Sequence, residues 1–183
     1  MVQRFDHPAV PVCPYPPGWR EVANLRFETD LVLLRLKDAV KLRTGEDASY
    51  IVGADYIVSV EVDGEVFGIT VPRGLVTDLT SVPAPLRIIA GRVGPWLEAA
   101  IVHDYLYIAW QDVPGHGAHD RDREFADLIM LRAMEAADVG RIKRQLIYLA
   151  VRLFGVWGFR RPNADRYATL PDHLGGFSLP RPD

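Results

Sequence analysis

His103 and Asp104 stand side by side in the run Ala99-Ala100-Ile101-Val102-His103-Asp104-Tyr105-Leu106-Tyr107. An imidazole and a carboxylate set among apolar residues are costly to bury without partners, so this run points to a site or a polar network. Read as a helix, it places Tyr107 on the same face as His103, four residues on. Asp104 projects about 100° away around the axis. The two neighbours therefore address different surfaces. Asp127 lies four residues beyond Arg123 in a later helical segment. The connection between the segments is short and favours antiparallel packing. Asp127 then reaches His103 and fixes the tautomer of its ring, as the third member of a catalytic triad does. The same residues equally fit a satisfied buried network of His103, Tyr107 and Asp127 that catalyses nothing.

Upstream, Gly74-Leu75-Val76-Thr77-Asp78-Leu79-Thr80-Ser81-Val82-Pro83 ends a strand in hydroxyls and a carboxylate. Asp78 or Ser81 can cap a turn there. Alternatively, Asp78 joins Asp104 and Asp127 in offering oxygen ligands to a hard cation. A Ser81-His103-Asp127 triad lacks the Gly-x-Ser-x-Gly setting of a nucleophile elbow. His116 and His119, three apart in a Gly-rich loop, read as solvated chain or a metal pair. His7 and His173 fall near the termini. With Cys13 the only cysteine, no Cys/His zinc pattern exists and no internal disulfide can form.

The elements that must position these groups divide into two halves. Leu31–Leu36 is a short apolar run suited to a strand. Tyr56, Val58, Val60 and Val62 alternate with polar residues, Asp63-Gly64 signals a hairpin turn, and Phe67, Ile69 and Val71 alternate again. Then Pro95 opens a breaker-free helical stretch from Trp96 to Trp110. A second helix is predicted from Asp120 to near Asp138, with Phe125, Leu128, Ile129, Ala133 and Ala136 as its stripe. A third follows Gly140, with Ile142, Leu146, Leu149, Leu153 and Trp157 on a face expected to be core, and Arg141, Arg144 and Arg152 largely opposite. Strands first and helices after predict an α+β fold: an N-terminal antiparallel β meander followed by about three α-helices.

The 183 residues suit one domain over 21–160, flanked by an extended Pro-rich arm at 1–20 and an extended tail at 161–183. A formal net charge of -3 offers no hint of a nucleic-acid or anionic-membrane partner. No signal-peptide core and no transmembrane run of about 18 apolar residues stands out. Synthesis in a reducing cytoplasm is the expectation.

Four blocks carry a resemblance: Thr77–Pro83, Ala100–Tyr107, Arg123–Asp127 and Tyr148–Gly155, spread over residues 55–160. In that order they resemble a phage- and prophage-borne family of unknown function. This implies a viral or prophage origin, synthesis in the host cytoplasm and incorporation in a virion, but no activity. His103-Asp104-Tyr105-Leu106-Tyr107 also resembles the His-Asp-x-x-Tyr motif of secreted calcium-dependent phospholipases. That resemblance implies His103 as general base, Asp104 as calcium ligand, Tyr107 as supporting hydroxyl, Asp127 as orienting carboxylate and membrane lipid as partner. The chain departs from the pattern in having only Gly91-Arg92-Val93-Gly94-Pro95 before the motif helix, and no cysteine on it. Two functions follow as expectations. One is a His/Asp-dyad hydrolase of ester or lipid bonds. The other is a non-catalytic virion or tail component whose arms grip phage structural proteins. A His-Asp phosphohydrolase needs a further upstream histidine, and only His7 precedes the pair.

Overall fold

The period-2 runs fold into a hairpin, β4 (Tyr56–Val62) and β5 (Glu65–Val71), in register from Tyr56 opposite Val71 to Val62 opposite Glu65. Asp63 and Gly64 turn the chain at φ 52° and 85°. Two successive positive φ values are what a two-residue type I′ turn requires. The computed structural model describes residues 13–34, 50–77, 94–163, 166–168 and 170. Strand β1 (Val22–Phe27) pairs with the other edge of β4, so this sheet has the order β1-β4-β5. It is a hairpin with an earlier strand added, not a simple meander. Asp63 anchors the start of β1 by accepting the Arg20 and Glu21 N–H groups at 3.0 and 2.8 Å. A second small antiparallel sheet has the order β2-β3-β6: β2 (Leu33–Leu34), β3 (Tyr50–Val52) and β6 (Val76–Thr77). The expected strand over Leu31–Leu36 is thus narrower, and its last two residues lie outside the described residues.

The helices are α1 (Leu97–Ile108, extended by a 3₁₀ turn over Ala109–Asp112), α2 (Asp120–Ala136), α3 (Arg141–Phe154) and α4 (Val156–Arg160). Eight of the twelve residues of α1 are buried, as befits a helix that is apolar nearly all round. Helix α2 packs against α1, α3 and β1. Its Phe125 meets Phe67 of β5 edge-on, with ring centroids 6.4 Å apart. Together the two sheets and the helices make the α+β fold.

Within residues 13–20 of the N-terminal arm, two side chains enter the core. Tyr15 and Trp19 are buried. The Tyr15 hydroxyl donates to the Leu106 carbonyl and accepts the Trp110 N–H at 3.1 Å. Trp19 lies 3.7 Å beneath the Arg121 guanidinium. Near the other end, Asp112 holds Arg166 and Tyr167, each at 2.6 Å, and Tyr167 bridges to Leu75.

One expectation is reversed. The α3 side carrying Ile142, Leu146, Leu149 and Leu153, continued by Trp157, is exposed, while Ile147, Ala150 and Val151 are buried. The inward side is the one from which Arg144 reaches Glu135 at 2.9 Å and Arg152 reaches Asp127 at 3.0 Å, both on α2. Turning the Leu-rich side inward would break both pairs and take Arg152 from the buried Asp127 carboxylate.

Candidate functional site

Asp127 is fully buried and is the hub of the site. It stands on α2 one turn after Arg123, while α1 presents His103 and Tyr107 one turn apart on the face that meets it. His103 Nε2 lies 3.1 Å from Oδ1, and the Tyr107 hydroxyl donates to the same oxygen at 2.5 Å. The other oxygen, Oδ2, accepts from Arg152 Nη1 at 3.0 Å and Arg123 Nη1 at 3.3 Å. Arg123 Nη1 also donates to the Arg152 carbonyl at 3.2 Å. The His103 and Tyr107 rings pack with centroids 4.0 Å apart. Three helices are therefore tied together through one carboxylate.

Burial pushes the Asp127 carboxyl up, but the hydrogen bonds from His103, Tyr107 and Arg152 outweigh it and hold the group below the usual carboxylate range. Asp127 is thus ionised and can only accept. In the neutral ring of His103, Nε2 then carries the proton and Nδ1 keeps the lone pair. Burial, and next to it the Asp127 charge, push the Tyr107 phenol well above its ordinary value, so it stays a donor.

Asp104 does not join this cluster. It is half-buried on the adjoining side of α1 and accepts from Thr77 Oγ1 of β6 at 2.6 Å. The adjacent pair of the sequence is therefore split between two surfaces, as the helical angle requires. Asp78 and Ser81 lie outside the described residues. Among the described residues no three metal-binding side chains converge on a point. Both Asp127 oxygens are already held by His103, Tyr107 and the two arginines. His116 anchors its loop, with Nε2 2.7 Å from Asp122 Oδ2 and its ring stacked on Tyr15.

Two residues of the site were not foreseen. The sequence puts Arg152 on the polar face of α3, and nothing in its spacing marks the distant Asp127 as its partner. Gly155 closes α3 where any side chain would run into the Tyr107 hydroxyl and the Val151 carbonyl. Its glycine, breaking an otherwise helical run, was the available signal.

The fold and site define an α+β domain whose helices are joined by a buried His-Asp-Tyr cluster braced by two arginines. Residues 53–151 match the family model described as "Protein of unknown function (DUF1353)", and the chain belongs to that family. The matched span holds Thr77, His103, Asp104, Tyr107, Arg123 and Asp127, and the description assigns them no activity. No curated protein and no solved structure matches the chain.

Proposed function

We propose that the protein hydrolyses ester bonds, lipid esters included, with His103 as its catalytic base. The observation that supports this is the shared acceptor: Asp127 Oδ1 takes both His103 Nε2 and the Tyr107 hydroxyl. That arrangement fixes the ring's orientation and tautomer and leaves Nδ1 to accept a proton. Water attacking the ester carbonyl gives its proton to Nδ1. The imidazolium then returns it to the departing alkoxide as the tetrahedral intermediate collapses. Asp127 and Tyr107 are positioning residues in this scheme.

The resemblance to calcium-dependent phospholipases adds a cation beside Asp104. Its carboxylate and the Thr77 hydroxyl are hard oxygen donors, and Asp78 would complete the carboxylate set. A bound calcium ion would polarise the ester carbonyl.

The test is release of acid from short-chain esters and phospholipids by the wild type and His103→Asn, with and without millimolar calcium. Circular dichroism serves as the fold control. Hydrolysis that His103→Asn removes in a folded protein supports the reading; hydrolysis that survives this change sinks it.

A second reading is favoured by closure of the cluster, since His103 is only 2% exposed and Asp127 is already clamped by two guanidiniums. In it the network only locks the helices of a phage- or prophage-encoded virion or tail component, whose terminal residues hold phage structural proteins. It requires that His103→Asn alter stability while no ester is turned over by any variant. Removal of residues 1–12 should then reduce incorporation into particles while sparing Tyr15 and Trp19.

A further inference from the structure

We propose that the outer face of α3 and α4 docks on an anionic lipid bilayer. Ile142, Leu146, Leu149 and Leu153 recur at helical spacing along one side of α3, and Trp157 continues the line on α4. Ile142 is 80%, Leu153 70% and Trp157 85% exposed, with Phe154 beside them at 65%. At about 1.5 Å per residue the stripe is some 20 Å long. Contiguous apolar surface of this kind on a folded domain marks an interaction site.

Charge selects the occupant. Residues 139–164 hold six cations, Arg141, Lys143, Arg144, Arg152, Arg160 and Arg161, and no Asp or Glu, in a chain whose formal net charge is -3. Arg144, Arg152 and Arg160 pair with carboxylates of α2. Arg141 and Arg161 are exposed and make no ion pair with another described residue. An apolar stripe with Trp, Phe and Leu, edged by Lys and Arg, matches a helix lying in the headgroup layer of an acidic membrane. A second copy seated symmetrically on this face would set the same cations against each other. Among the described residues no helix is long and apolar enough to cross a membrane, so the contact is peripheral.

The face is independent of the His103 chemistry, so the two proposals fail separately. The experiment is flotation of the full chain with vesicles of phosphatidylcholine alone, or mixed with phosphatidylglycerol. The fluorescence of Trp157 is followed against Trp157→Phe. We expect capture by the anionic vesicles, release by salt, and a blue shift that Trp157→Phe lacks. Leu149→Glu combined with Leu153→Glu should weaken capture at least tenfold at unchanged circular dichroism and melting. His103→Asn should float like the wild type. Absence of capture, or equal capture by neutral vesicles, overturns the proposal. So does a lipid-free dimer that the double glutamate variant dissociates, or blue-shifted Trp157 emission in the lipid-free monomer, which would mean the chain covers the face itself.

Discussion

Asp127 gathers four donors around one carboxylate, and its loss would take the anion away from two guanidiniums, an imidazole and a phenol. Breaking such a buried ionic cluster by removing one partner costs about 3–5 kcal/mol. Asp127→Ala should show a loss of that order in urea unfolding. The pH dependence follows from the sign of the shift. The folded carboxyl is held below its unfolded value of about 3.9. Its contribution is therefore complete above about pH 4 and disappears as pH falls through the folded value. Melting temperature measured down the acid limb should fall more steeply for the wild type than for Asp127→Asn, which has no carboxyl to titrate. Equal slopes would remove Asp127 from the acid response. The His103, Tyr107 and Asp127 meeting was legible because helical spacing fixes which side chains share a face. The inward turn of Arg152 was not, since spacing within one helix says nothing about which neighbour it meets.

Among the elements, the clearest in the sequence was the β4–β5 hairpin, where seven-residue alternation flanks an Asp-Gly turn. Strands β2, β3 and β6 were hard to read because two or three residues carry no period, and their pairings join distant parts of the chain. The stripe on α3 announced a helix without telling which side is inside. Burial of apolar area alone favours the Leu-rich side, yet ion pairs to Glu135 and Asp127 accompany the reverse. Gly155 is the joint that lets α3 approach α1, as a Cβ there would meet both the Tyr107 hydroxyl and the Val151 carbonyl. Gly155→Ala should destabilise by about 1–3 kcal/mol, the usual range for overpacking. Tyr107→Phe removes one of the two obstructing atoms. In a double-mutant cycle it should therefore cost less in the Gly155→Ala background than alone. Additive losses would show that the two positions do not press on each other.

On the scale of the whole molecule, averages concealed the arrangement. A net charge of -3 combines a wholly cationic stretch at 139–164 with an acidic remainder, so it gave no sign of the basic, apolar face. Proline content likewise marked residues 1–20 as an arm, although Tyr15 and Trp19 within it close the core. Prolines keep that segment out of helix and sheet, and the chain bends at 14–15 and turns at 17–18, but two large aromatic rings still have apolar surface to bury, and they bury it against α1 and α2. Trp19 packs on Phe125 at a centroid distance of 5.6 Å and under Arg121. If residues 13–20 only lay loosely against the domain, truncating Trp19 would matter little. As a member of the core it should lose about 3–5 kcal/mol in Trp19→Ala, the range for deleting a buried large aromatic. Urea unfolding followed by circular dichroism measures this directly. A change below about 0.5 kcal/mol, the range of ordinary surface substitutions, would return the segment to the status of a peripheral arm.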